Sequence, residues 1–189
     1  MTTICGYTTE EYLARVVKFH GHPAPGLLIG GFMVDMAMRE RPEGDFFDVL
    51  CETSVCLPDA VQLLTPCTYG NGWLKVVDVG RFAITVFEKY SGKGVRVHLD
   101  AAKLDDYPEI KAWFFRLKTK KEQDQEKLLG EILDAGERIL AASGVQVDAR
   151  HIGKKKGGPT ALCPKCGEAY PVKTGSVCLA CQGEVLYRP

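Results

Sequence analysis

Polar and apolar positions alternate along this chain with two different periods, and the change of period marks out its elements. Thr8-Thr9-Glu10-Glu11 has the form of a capping box and precedes Tyr12, Leu13, Val16 and Val17 at helical spacing. A helix is predicted there, ending near Gly21. Pro25 opens a second helix carrying Leu27, Leu28, Gly30, Gly31, Val34 and Met38. Its Gly30-Gly31 pair lowers helix propensity by about 1 kcal/mol per residue relative to Ala, a cost that a close-packed neighbour would explain. Residues 46–51 read as a strand, Pro58 to Leu64 as a brief helix, and 68–72 as a turn. Stretches 74–79, 81–90 and 95–99 alternate or run β-branched, parted by Gly80 and Ser91-Gly92-Lys93-Gly94, so an antiparallel meander is predicted. Asp105, Asp106 and Pro108 then open a helical stretch to Ser143, closed by Gly144. Its polar middle, 118–127, reads as a solvated face or as a break between two helices. Hairpin strands with helices before and after them give an α+β core over residues 1–152. A basic Gly/Lys linker follows over 153–159, and a small four-cysteine module over 160–189.

Composition narrows the class. At 189 residues and 46% hydrophobic content the chain is one ordinary domain plus something small. Lys plus Arg number 24 and Asp plus Glu 24, so no whole-molecule field recruits nucleic acid or an anionic membrane. The first residues lack the basic and apolar regions of a signal peptide, and no apolar run approaches the roughly 20 residues of a membrane span. Reduced thiols and a cytoplasmic location are therefore expected. From Arg150 to Pro189 there are seven Lys or Arg against Glu168 and Glu184. Zinc on four thiolates carries about −2, which leaves this end about +3.

Four of the eight cysteines form Cys163-Pro164-Lys165-Cys166 and Cys178-Leu179-Ala180-Cys181, eleven residues apart. A tight turn between cysteines three positions apart aims both sulfurs the same way, and Gly167 and Gly183 supply permissive backbone after each pair. Four thiolates so arranged make the closed tetrahedral site of structural zinc, in a treble-clef or ribbon-type finger. Two disulfides, a redox Cys-x-x-Cys and an iron–sulfur cluster are the alternatives. They fit less well, because nothing marks secretion, no βαβ unit adjoins a pair, and the spacing is not that of ferredoxins.

A second constellation lies upstream. Phe19-His20-Gly21-His22-Pro23-Ala24-Pro25-Gly26 puts two of the four histidines at a junction bent by Gly and Pro. Cys56 stands directly before a helix start, where partial positive charge and free N–H groups favour a thiolate. Cys67 follows that helix, which is about 10 Å long, so the two sulfurs meet only if the chain folds back after Leu64. Histidine with thiolates is a ligand set for zinc, nickel or copper. Spacing alone weighs this equally against small buried cysteines and histidines that cap helix ends.

Phe-His-Gly-His-x-x-Pro-Gly-Leu at Phe19 to Leu27, Cys-x-x-Asp-Ala at Cys56 to Ala60 and Pro-Cys-Thr-x-Gly at Pro66 to Gly70 together resemble the E-subunit family of formylmethanofuran dehydrogenase, as does Asp78-Val79-Gly80-Arg81-Phe82-Ala83. The resemblance implies an α+β core, commonly dimeric, with an appended treble-clef zinc finger and a polar cleft that often holds a transition metal. Carried over position by position, His22, Cys56 and Cys67 become the leading core ligands, with His20 and Asp59 next. Two positions depart from the pattern: Ala24 stands where members often have Cys, and Gly70-Asn71-Gly72-Trp73-Leu74 lacks a Lys that many carry. Nothing in the chain resembles a molybdenum or tungsten pterin site, so this polypeptide does not run formyl-group redox chemistry alone. The reading is a metal-binding protein with structural zinc and a second transition metal, zinc or nickel, in the core. It would act beside one-carbon or redox metabolism, with enzymatic activity left open. A homodimer, helped by the Gly30-Gly31 helix face, and a small-molecule ligand are the expected partners. An interaction module is the alternative, in which the finger, its Lys154–Lys156 arm, Tyr170 and Tyr187 dock to a protein or nucleic acid. Metal trafficking or sensing would use the same core ligands.

Overall fold

The computed structural model describes residues 3–153 and 157–184, so Lys154–Lys156 and Tyr187 lie outside the described residues. The chain divides into two units, Met1–Gly153 and Lys154–Pro189, each with its own architecture.

In the first unit a two-residue strand pair, β1 (Thr3–Ile4) and β2 (Tyr7–Thr8), leads into α1 (Thr9–His20). The capping box is formed. Thr8 Oγ1 accepts from the Glu11 N–H at 3.2 Å, and Glu11 Oε2 accepts from the Thr8 N–H at 2.9 Å. Gly21, at φ 90°, ends the helix in the left-handed conformation that glycine adopts most readily. The next helix, α2 (Pro25–Glu40), is buried continuously from Gly26 to Val34, which makes it the centre of the core. Its two glycines admit neighbours from both sides. A Cβ on Gly30 would meet Ala60 at 2.8 Å, and one on Gly31 would meet the Tyr12 ring at 2.5 Å. The close contact predicted for this pair is therefore made within the chain. Because those positions are filled, Gly30 and Gly31 do not argue for a dimer.

A five-stranded sheet packs against the helices in the order β4 (Leu74–Val76), β3 (Phe47–Cys51), β5 (Ala83–Glu88), β6 (Lys93–Leu99), β7 (Leu140–Gln146). Val49, Cys51, Ile84, Val86 and Val97 are fully buried and join the helices in one apolar cluster. The α+β class is the one expected, and the sheet is antiparallel except at one edge. There β4 runs parallel to β3, because α3 (Leu57–Leu64) connects them as a crossover, so β4 lies beside β3 and not beside β5 as the predicted meander required. The second difference is β7. Leu140 to Ser143, predicted as the end of a long helix, instead begin a strand that pairs with β6 from Leu99↔Leu140 to Lys93↔Gln146. The stretch breaks into α4 (Pro108–Phe114) and α5 (Gln125–Ala135), and Gly136 at φ 52° ends the second. An open edge on β6 then decides the fate of Leu140-Ala141-Ala142-Ser143, whose local preference for strand is weak.

The opposite face of the sheet holds an ion-pair network around the buried Glu52 carboxylate. Arg96 grips Glu52 with two hydrogen bonds, at 2.6 and 3.0 Å, and Arg81 reaches the same carboxylate at 2.7 Å. Burial alone would raise the Glu52 carboxyl, but Arg96 and Arg81 outweigh it and hold the group below its usual range. Its folded value is therefore depressed, and its stabilising contribution is present above about pH 4.5 and fades as pH falls below that. Glu52→Gln is expected to destabilise the core by about 3 kcal/mol at pH 7, since Arg96 is left partly buried beside a neutral amide. The gap between wild type and variant should narrow at pH 3.5 in urea-unfolding curves. An equal gap at both pH values would rule out the ionic origin.

The second unit is small: β8 (Thr160–Leu162) pairs antiparallel with β9 (Ala169–Pro171), and a single-turn helix, α6 (Leu179–Gln182), follows.

Candidate functional site

In the second unit the four predicted cysteines converge. The sulfurs of Cys163, Cys166, Cys178 and Cys181 all lie within 4.8 Å of one another. Between Cys166 and Cys178 the sulfurs are 3.8 Å apart, the edge of a tetrahedron whose metal–sulfur bonds are about 2.3 Å. Each pair is held by its turn. The Gly167 N–H returns to the Cys163 carbonyl at 2.8 Å with φ at 80°, and Cys178 caps α6 by accepting the Cys181 N–H at 3.4 Å. The Cys178 N–H points at the Cys163 sulfur from 3.5 Å and draws that thiol down to about 6, so one thiolate is prepared for a cation. The donor set and its spacing fit zinc.

In the core unit the histidine junction opens on a cleft of about 1110 Å³. His20 and His22 line it where α1 hands over to α2, with ring centroids 4.8 Å apart. His20 Nδ1 lies 2.8 Å from Asp59 Oδ2, a residue of the first turn of α3. With the Nδ1 proton given to the carboxylate, Nε2 is the nitrogen left to accept a proton or a metal. Cys56 caps α3 at φ 59°, an unfavourable conformation for a side-chain-bearing residue. Gly26 makes room for it, because a Cβ there would stand 2.8 Å from the Cys56 sulfur. Burial, and then the Asp59 charge, push the Cys56 thiol up, so proximity to a helix start does not by itself give the expected thiolate.

Cys67 is not in this cleft, contrary to the expectation that it would meet Cys56. Thr65 ends α3 and accepts the Cys67 N–H at 3.1 Å, and the chain turns beneath β3. There the Cys67 thiol is fully buried and donates to the Phe47 carbonyl at 3.7 Å, and its burial raises it to about 11. The helix between the two cysteines separates them. His20, His22 and Cys56 share the cleft with Asp59 behind His20, but they are not drawn into one coordination sphere. Among the described residues, the finger cysteines are the one group of three or more such donors gathered closely enough to hold a metal.

Two walls of the cleft were missed in the sequence. One is aromatic: Phe82 meets Trp113 and Phe114 nearly edge-on, with centroids 6.4 and 6.1 Å apart. The other is cationic, made by Arg116, Lys118 and Lys120 from the exposed connection between α4 and α5. Their spacing of two residues was the available signal, hidden in a segment that reads as a solvated face.

Comparison with known proteins agrees with this division. The family model described as "FmdE, Molybdenum formylmethanofuran dehydrogenase operon" matches residues 19–147, and that of the "FmdE treble clef zinc finger" matches residues 154–188. The chain belongs to the FmdE family. Its tail is a treble-clef zinc finger rather than a ribbon. A crystal structure of a tungsten formylmethanofuran dehydrogenase FmdE-like protein from Syntrophus aciditrophicus is 49% identical, with a TM-score of 0.91 and both chains covered completely. A probable S-adenosyl-L-methionine-binding protein of Archaeoglobus fulgidus is 31% identical over 192 residues, covering 90% of this chain and 52% of that protein. The FmdE-family chain thus spans about half the length of this curated relative. No helix among the described residues is long and apolar enough to cross a membrane.

Proposed function

We propose that the FmdE core is a small-molecule-binding domain and that the His/Cys corner of its cleft acts on the ligand through a second metal, zinc or nickel. The carrying observation is the 2.8 Å bond between His20 and Asp59, which frees His20 Nε2 in the cleft that His22 and Cys56 also line. A carboxylate behind a histidine is the usual support for a metal-binding imidazole. His20, His22 and Cys56 would draw together from the cleft walls to hold the ion, and Asp59 would orient His20. Bound there, the metal would polarise a ligand oxygen or lower the pKa of a water. Three protein ligands leave a position open, which is the pattern of reactive rather than structural sites. Cys67 lies outside the cleft and Ala24 brings no donor atom to its lining, which keeps that position for water or ligand.

The family description places its members with the operon of a molybdenum formylmethanofuran dehydrogenase, which supports an accessory role beside a polypeptide that carries the redox centre. The name of the Archaeoglobus relative adds S-adenosylmethionine as a candidate ligand, and the aromatic wall would accept its adenine ring.

Element-specific metal analysis after reconstitution with zinc or nickel tests the reading. Two atoms per chain are expected in the wild type and one in the His22→Ala, Cys56→Ala double variant, with the core still folded by circular dichroism. A wild type that takes up only one atom would remove the core metal from the proposal.

A further inference from the structure

We infer that the ligand of this cleft is an organic anion, a carboxylate or phosphate attached to a planar ring. Arg116 and Lys120 bind its charge and the Phe82–Trp113–Phe114 wall binds its ring. This rests on the reading of the cleft as a small-molecule site and specifies what enters it.

Charge is the first argument. The chain as a whole has equal numbers of basic and acidic residues, yet the cleft lining includes three cations and no Asp or Glu. Lys118 is paired with Glu109 at 2.8 Å, whereas Arg116 and Lys120 form no ion pair among the described residues. Among the described arginines, Arg116 alone has a side chain with no ion pair, hydrogen bond or ring contact. Every other described arginine has a partner: Arg15 lies over Tyr7, Arg41 donates to the Gly44 carbonyl, and the rest meet carboxylates. An uncommitted guanidinium facing a cleft can offer its planar fork to a carboxylate or phosphate, which it matches with two hydrogen bonds.

The backbone supplies a second, independent argument. Arg116 follows α4 at φ 54°, where its N–H returns to the Trp113 carbonyl at 3.2 Å and the Leu117 N–H returns to Ala112 at 2.8 Å. This is a helix-terminating left-handed position, and glycine suits it best. A residue that the backbone disfavours, and that pairs with no other side chain, is kept for what its side chain does in the cleft. Beyond it the chain leaves the helix, and the alternate residues Arg116, Lys118 and Lys120 all reach the same wall. Gln125 ties the start of α5 to the Pro23 carbonyl at 3.3 Å, so this wall and the histidine junction are tethered to one another. The ligand would thus be held by charge and ring while the histidines meet its remaining group.

S-adenosylmethionine is a poor match on charge. It brings one carboxylate, but also an ammonium and a sulfonium, into a lining without a single acidic residue.

The test uses the full-length, zinc-loaded protein and calorimetric titration with four probes that share one ring: 2-naphthyl phosphate, 2-naphthoate, neutral 2-naphthamide and cationic 2-naphthylmethylamine, with S-adenosyl-L-methionine as a fifth. Both anions should bind at least tenfold more tightly than the amide and the amine, and shift the indole N–H resonance of Trp113. The ratio of phosphate to carboxylate affinity identifies the headgroup. Arg116→Gln should remove about tenfold from the anions and leave the amide unchanged. Arg116→Gly should lose the same affinity while raising the melting temperature by about 2 °C, a combination that a merely structural arginine would not give. Equal binding of anion, amide and amine, or full anion affinity in Arg116→Gln, overturns the anion assignment and leaves the cleft reading standing. Tight S-adenosylmethionine binding that Arg116→Gln does not weaken does the same. If no probe binds, both readings fall.

Discussion

Cys163→Ser is expected to unfold the zinc finger and leave the core unit folded. The finger has almost nothing else to hold it: its strands are three residues long and its helix four, and Cys163 and Tyr170 are its only buried hydrophobic residues among those described. Two such side chains cannot offset the conformational entropy of ordering some 25 residues, at about 1–2 kcal/mol each. The metal must supply the difference, and structural zinc binds such peptides with an apparent 10–16 kcal/mol at neutral pH. Serine removes a thiolate that the Cys178 N–H stabilises and leaves three donors where four close the tetrahedron. The variant should lose one zinc per chain, and limited proteolysis should cleave between residues 160 and 184 without delay. A chelator should do the same to the wild type. The cooperative urea transition of residues 3–153 should keep its midpoint. A finger that resists protease after losing its zinc would contradict the whole account.

How far the fold and the site could be read in advance depended on how local the deciding interaction was. The finger cysteines and the Thr8 capping box were legible, because three-residue spacings and a helix start are settled within one turn of chain. The strand β7 was not. Leu140-Ala141-Ala142-Ser143 follows a helix and favours one, and only the open edge of β6, some 45 residues earlier, makes it a strand. Cys67 failed for a related reason. Its proximity to Cys56 in sequence said nothing about Thr65, which caps α3 and turns Cys67 beneath the sheet. The histidine corner was half legible. The Gly/Pro junction exposed His20 and His22 as expected, but the cleft's other walls come from residues 82 and 113–120. Cations on a solvated loop look the same in a sequence whether they face bulk water or a cleft.

Replacing Gly31 by Ala should cost the core about 2–3 kcal/mol, although alanine is the better helix former. The added Cβ would stand 2.5 Å from Tyr12 Cε1, 2.7 Å from Cζ and 2.9 Å from the hydroxyl oxygen, all inside the 3.0 Å below which real Cβ contacts essentially never fall. The ring cannot retreat cheaply. It is fully buried, and its hydroxyl donates to the Leu27 carbonyl at 2.7 Å. Overpacking costs about 1–3 kcal/mol and a lost buried hydrogen bond about 1–3 more, against a gain of about 1 from helix propensity. Gly31→Leu should therefore fail to fold rather than merely dissociate, which separates intrachain packing from a role in assembly. A double-mutant cycle identifies the cause. Tyr12→Leu leaves a cavity and is destabilising alone, but in its presence Gly31→Ala should cost at least 1 kcal/mol less than in the wild type. Strictly additive losses in urea would show that Tyr12 is not what requires glycine at position 31.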